Sequence, residues 1–403
     1  MSAQGLAADA LRAPASSPPE AARRIRLIGL TLAFCYLIVL GGTFLKGNFL
    51  LDPQGRPIAN DFVNVVAAGR LALEGDAPAA YDWPTHKQAE VRVIGHDFAN
   101  YYGWHYPPTF LFVAAALATL PYLVAALLWL TATLAVYAAA IRHVLGSRTG
   151  LAVALGFPAA LWNITAGQNG FLTAALIGGT LGLLQRRPAL AGVCLGLLTY
   201  KPQFGLLFPL ALIADRRWLT IVVAAATAAA LAALSWLVFG AASWQGFAHW
   251  MPITSRVVLD EGGADWSRLQ SLFGLVRSHG GNEALSWTVQ TAGSAMAAIG
   301  IIWLWRSRAP FDLKAAALAA ATLLATPYLY MYDVVVLAVA VAFLLRFALE
   351  RGLAAPEAAG LTGAGFLILI FPYVKTQTGL GAILIVLALL VWRAVGEITR
   401  QER

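Results

Sequence analysis

Residues 23–46 read RRIRLIGLTLAFCYLIVLGGTFLK, and this stretch decides the class of fold. Three arginines, Arg23, Arg24 and Arg26, precede an uncharged apolar run from Leu27 to Leu45. At about 1.5 Å per helical residue the run spans roughly 30 Å, the thickness of a bilayer's hydrocarbon core. Arginines ahead of a first span keep the N-terminus in the cytoplasm. A cleaved signal peptide fits less well, because the run is long and no A-x-A-like site follows it. Residues 1–22, rich in Ala, Ser and Pro and without a periodic apolar face, read as a disordered cytoplasmic tail.

The rest of the chain follows the same grammar. Of 403 residues, 59% are apolar and 12% are charged, about half the charge of ordinary globular chains, which excludes a water-soluble fold. The net charge of +8 sits at membrane edges; no Lys/Arg cluster is interleaved with aromatics, so nucleic acid is not expected as a partner. Cys35 and Cys194 lie inside apolar stretches and provide neither a disulfide framework nor a metal site.

Residues 46–105 form a first external loop with seven acids against five bases. Beyond it, apolar stretches flanked by arginines recur, each interrupted by Pro, aromatic and amide residues. The interruptions are Trp162, Asn163, Gln168 and Asn169; Lys201-Pro202-Gln203; Pro327 to Asp333; and Pro372 to Lys375. Read as hairpins with their arginines in the cytoplasm, they leave 18 of 28 Lys/Arg inside and 12 of 20 Asp/Glu outside. Some arms are short: Ala189 to Tyr200 makes only about 18 Å of helix, against a core of about 30 Å. Broken helices at membrane depth survive where they are packed in protein or line a polar cavity, so a cavity opening outward is expected. The predicted fold is an all-α polytopic membrane protein of about twelve transmembrane or re-entrant helices, one domain over residues 23–400, with both termini inside.

Both external loops are expected to carry helices lying on the membrane. In the second, residues 240–285, Trp244, Phe247, Trp250, Trp266, Leu269, Leu272, Phe273 and Val276 recur at roughly helical spacing, with Arg256, Arg268 and Arg277 on the wet side. In the first, Phe62, Val65, Val66 and Leu73 share a face behind Asn60 as N-cap, and Gly75 ends the helix.

No Walker loop, HExxH, CxxC pair or convincing GxGxxG is present, and a nucleotide-binding domain has nowhere to fit. The polar groups at the outer face carry the chemistry instead. Asp61 is placed to take a proton from a hydroxyl, or else merely complements the helix dipole. Lys201 is costly in an apolar stretch unless it meets an anion such as phosphate, or snorkels to the headgroups. Asn163, Gln168, Asn169 and the tyrosines from Tyr328 to Tyr332 suit sugar recognition, although tyrosines there also make an interfacial belt. His105, His249 and His279 show no ligand spacing, so no metal is expected.

Taken in order, Asp61-Phe62, Ala67-Ala68-Gly69-Arg70, Glu74-Gly75, Ala80-Tyr81-Asp82, Tyr106-Pro107-Pro108, Leu120-Pro121-Tyr122, Gly167-Gln168-Asn169, Ala191-Gly192, Lys201-Pro202-Gln203 and Pro327-Tyr328 to Asp333 resemble the family 87 glycosyltransferases. These are polytopic enzymes of the GT-C superfamily that use polyprenyl-phosphate-linked sugars, usually mannose. The resemblance implies inverting transfer at the periplasmic face of a bacterial inner membrane, with Asp61 as catalytic base. It implies donor phosphate contacts at Lys201, Arg256 and Arg268. Sugar or acceptor contacts fall to Tyr106, Asn163, Gln168, Asn169, Gln203, His249, Tyr328, Tyr332 and Asp333. The implied partners are a polyprenyl-phosphate-linked sugar donor, a lipid or glycan acceptor and membrane lipids, with no cofactor. A phosphate leaving group needs no general acid, so one carboxylate suffices. Val65 and Val66 stand where many relatives carry bulky aromatics, so the acceptor surface need not be that of a mycobacterial-type phosphoinositide mannosyltransferase. A secondary transporter or a non-catalytic glycolipid-binding protein is the alternative; the first predicts related halves, which the sequence does not display.

Overall fold

A computed structural model describes residues 14–263 and 265–401. Its architecture is a bundle of helices of very unequal length. Six are long and apolar enough to cross a membrane: Pro18–Leu45, Tyr122–Leu145, Trp218–Asp260, Glu283–Arg306, Met331–Arg351 and Thr378–Gln401. A seventh candidate is the pair Arg148–Gly156 and Pro158–Ala166, bent by 55° at Phe157. The remaining arms are short, among them Gly170–Leu183, Pro188–Tyr200, Pro202–Ala214 and Ala355–Leu369. The chain is therefore an all-α polytopic membrane protein. Among the described residues, six or seven full spans stand where about twelve crossings were expected, because proline and amide breaks cut the other arms short.

The first helix begins at Pro18, ahead of Arg23, since proline pre-sets the helical φ in a first turn where its missing N–H costs nothing. Pro14–Ser16 pairs antiparallel with Leu353–Ala354. The reading of a disordered tail thus fails for residues 14–22, and residues 1–13 lie outside the described residues. Leu27, Ile28, Leu30, Phe34, Leu37 and Ile38 are all more than half exposed, as expected of side chains that face lipid. On its other side this helix approaches Ser147–Gly156 closely. A Cβ on Gly29 would lie 2.4 Å from the Ala152 carbonyl oxygen, the kind of contact that lets two helix backbones touch.

At the centre, Leu337–Arg351 is buried almost throughout and packs on Phe311–Leu324. Arginines at the predicted inner ends are tied down. Arg346 donates to both oxygens of Asp312, and buried Arg393 forks onto Glu357 at 2.5 and 2.6 Å. Such planar pairing holds helix ends in fixed register.

The two loops differ from expectation. The Phe62–Leu73 helix ends before Gly75 (φ +84°) as expected, yet nine of its twelve residues are buried, Val65 and Val66 included, and only Leu73 of the expected face is well exposed. It is packed inside the protein, because Gly69 lets it settle onto Ala114. Val65 and Val66 therefore form core and no acceptor surface. The second loop is no continuous interfacial helix either. Gly240 (φ 77°) breaks the helix ahead of residues 241–255, and among the described residues the π turn Arg256–Asp260 and the short helices Trp266–Arg268 and Leu272–Ser278 follow. Its aromatics are spent on protein: Phe247 meets Tyr81 at 6.0 Å and Trp250 stacks on Trp83 at 5.3 Å. Leu259, Leu269 and Phe273 close a small core with Tyr328 and Tyr330.

Candidate active site

Asp61 opens the Phe62–Leu73 helix, but its carboxylate does not cap it. The neighbouring Asn60 holds the turn instead, its Oδ1 accepting from the Phe62 N–H at 3.0 Å and from the Tyr122 hydroxyl at 3.1 Å. Half-buried Asp61 is thus left to accept from Gln168, whose Nε2 donates to Oδ2 at 3.1 Å. The amide has one sensible orientation. Its Oε1 accepts from the Asn169 backbone N–H and from the Tyr106 hydroxyl, both at 3.2 Å, so the NH₂ must face Asp61.

Gln168 reaches this position through a break. The Pro158–Ala166 helix stops at Gly167, which has φ +70° and would place a Cβ 2.9 Å from the Asn60 side chain. Only glycine tolerates both conditions. The next helix starts at Gly170, whose N–H is taken by Asn163 Oδ1 at 2.8 Å. Burial pushes the Asp61 carboxyl up to about 6; the Gln168 hydrogen bond and the charges of Lys201 and Arg268 pull against that rise.

Lys201 sits between two 3₁₀ turns, Leu198–Tyr200 and Pro202–Gly205, and is buried. Its Nζ donates to Asp333 Oδ1 at 2.7 Å, with the Tyr332 ring 5.4 Å and the Phe204 ring 5.7 Å away. Tyr332 itself stacks on Tyr330 at 5.4 Å. The lysine therefore answers to a carboxylate within the protein and does not snorkel to headgroups. Asn169 lies close by, with the Tyr200 hydroxyl donating to its carbonyl at 3.2 Å. Both polar atoms of its side chain are buried and lack a partner, which calls for a ligand or water.

The structure brings Asp61, Gln168, Asn169 and Tyr106 together, and joins Lys201, Asp333 and Tyr332 in an adjoining group. Arg268 is exposed, and the Leu269–Tyr330 bridge carries it to where its charge acts on Asp61. Other expected residues fall elsewhere. Arg256 is exposed and pairs with Glu261 at 3.2 Å, a consequence of the π turn that follows it. His249 is exposed with its ring edge-on to Trp250 at 5.6 Å. Tyr328 belongs to the small second core, and Asn163 spends its carbonyl on a helix start. Gln203 is half-buried next to Lys201. Tyr102, Tyr200 and Glu90 support the site but carry no sequence signal, since each is recruited by a contact between distant segments, whereas Tyr122 is signalled by the Leu120-Pro121-Tyr122 motif.

The family model for glycosyltransferase family 87 matches residues 104–327, just over half of the chain. No curated protein and no solved structure matches it. The matched span holds Tyr106, Gln168, Asn169 and Lys201; Asp61 and Asp333 lie outside it and join through their contacts with Gln168 and Lys201. On that match, and with an all-helical membrane fold around it, the chain belongs to glycosyltransferase family 87.

Proposed function

We propose that the protein moves a hexose, with mannose as first choice, from polyprenyl phosphate to a hydroxyl of a lipid or glycan. In this reading the site faces the periplasm of a bacterial inner membrane and both termini are cytoplasmic. The acceptor oxygen attacks the anomeric carbon, the bond to phosphate breaks with its electron pair leaving on polyprenyl phosphate, and the hydroxyl proton passes to Asp61. Configuration inverts in the single displacement. The observation that carries this reading is Asp61 itself: it opens a helix yet leaves the capping to Asn60, and it is held by a family-matched glutamine.

Phosphate stabilisation falls first to Arg268, for which no ion pair is formed among the described residues, and then to Lys201, whose charge is shared with Asp333. Asn169, Tyr106 and Tyr332 take the sugar hydroxyls and ring face. Transfer, rather than transport, is favoured by family membership. The test is transfer of radiolabel from polyprenyl-phosphate-mannose to endogenous lipid in membranes holding equal amounts of wild type or Asp61→Asn. The expected loss is roughly 100-fold or more, the usual contribution of a general base. Equal transfer by both removes Asp61 from the role.

A further inference from the structure

A cavity of about 200 Å³ lies in the first loop, walled by the segments around Ile58-Ala59 and Phe98 to Tyr102. It belongs to neither polar group described above. Ala59 stands two residues before Asp61, and the wall is fastened to the turn that carries the carboxylate. The Tyr102 hydroxyl donates to the Ala59 carbonyl at 3.2 Å, and the Tyr122 hydroxyl donates to the Ile58 carbonyl at 3.3 Å while also holding Asn60. The opposite wall is equally fixed. Lys87 Nζ donates to the Phe98 and Asn100 carbonyls at 2.8 and 2.5 Å and sits 3.3 Å from the Phe98 ring centroid. Both ring nitrogens of His96 face carbonyls, those of Pro57 and Asp97, at 3.1 Å. The cavity is a built site with its back against the Asp61 turn.

Its chemistry is neutral and amphipathic. The one carboxylate in the wall, Asp52, is satisfied by Arg56 and by two backbone N–H groups. The cavity lining contains no Lys or Arg, and Lys87 behind it is spent on carbonyls. What remains is the Phe98 ring, the oxygen and second N–H of the Asn100 amide, whose Nδ2 donates to the Tyr102 hydroxyl at 3.3 Å, and one lone pair of that hydroxyl, its proton being given to Ala59. A ring beside an amide and a phenol fits a sugar or polyol, whose C–H face packs on the aromatic while its hydroxyls take hydrogen bonds. Lys201 pairs with Asp333, and the charge of Arg268 reaches both Asp61 and the Tyr102 hydroxyl.

We propose that this cavity holds the uncharged carbohydrate or polyol end of the acceptor, beside the turn that carries Asp61. The proposal rests on the transferase reading given above.

The test uses purified full-length protein in detergent with methyl α-D-mannopyranoside as probe, read by saturation-transfer NMR. Wild type is expected to transfer saturation to the sugar ring protons. Ala99→Trp fills the cavity from an exposed rim position, and Phe98→Ala removes the ring; each is expected to cut the signal at least fivefold. Asp61→Asn keeps the signal while losing transfer. With the same glycoside as acceptor, Ala99→Trp raises its KM at least tenfold, whereas the KM for polyprenyl-phosphate-mannose moves less than twofold. No saturation in wild type, or equal saturation in wild type and both cavity variants, overturns the proposal. Transfer that survives in Asp61→Asn, with saturation still lost in the cavity variants, removes the base assignment and leaves the cavity in place.

Discussion

At the scale of single residues, the site depends on how each polar group is satisfied. The Asp61 carboxyl titrates near 6 because burial outweighs the hydrogen bond and the nearby cations. A base must be ionised, so kcat/KM is expected to rise as pH increases through about 6 and then level off. Gln168→Leu removes a bond that is stronger to the ionised form than to the neutral acid, which raises the Asp61 pKa further. A hydrogen bond to a charged group contributes about 1.5–3 kcal/mol, so the acidic limb of the pH–rate profile should move up by roughly one unit or more. An unmoved limb would separate Gln168 from the titrating group. Lys201 and Asp333 form a second unit, both under a tenth exposed. Lys201→Met strands a buried carboxylate and is expected to cost about 3–5 kcal/mol in thermal unfolding of the solubilised protein, most of it regained in Lys201→Met/Asp333→Leu. A double variant no more stable than the single one would mean that the lysine packs rather than pairs.

At the scale of elements, one short helix decides where the base stands. Phe62–Leu73 lies so close to Leu111–Ala118 that a Cβ on Gly69 would come within 2.0 Å of the Ala114 carbonyl oxygen. A backbone atom cannot step aside as a flexible side chain does. Gly69→Leu is therefore expected to lower stability by about 1–3 kcal/mol and to lift the helix, taking Asp61 away from Gln168. Transfer should fall well beyond what the stability loss explains, whereas full transfer at reduced stability would show that the helix position is not critical. The sequence carried the amphipathic signal of this helix and its stop at Gly75. It did not tell lipid from protein as the partner of the apolar face, since both are equally apolar solvents for Val65 and Val66.

At the scale of the whole molecule, arginines mark one end and the acidic loop the other. Arg346, Arg351 and Arg393 gather at the end where residues 14–16 pair with Leu353–Ala354, while Asp61 and the cavity lie in the loop of residues 46–105. In a background lacking Cys35 and Cys194, a cysteine placed by Ala99→Cys should react with an impermeant maleimide added to intact spheroplasts, and one placed by Arg308→Cys only after lysis. The reverse pattern would invert the whole molecule and put the site in the cytoplasm.

Composition, arginine spacing and the proline-amide breaks were enough by themselves to specify a polytopic helical protein and its ordered family motifs. Each of these is written locally, as length of apolar run, charge at its ends, or a residue that cannot continue a helix. Tertiary structure alone decided which polar groups meet. It joined Asp61 to Gln168 across 107 residues and Lys201 to Asp333 across 132. It also withdrew Arg256 and His249 and closed a cavity beside Asn60. Pairings of that kind depend on how close two helix backbones can come, and that is set by small residues and broken turns acting together in space.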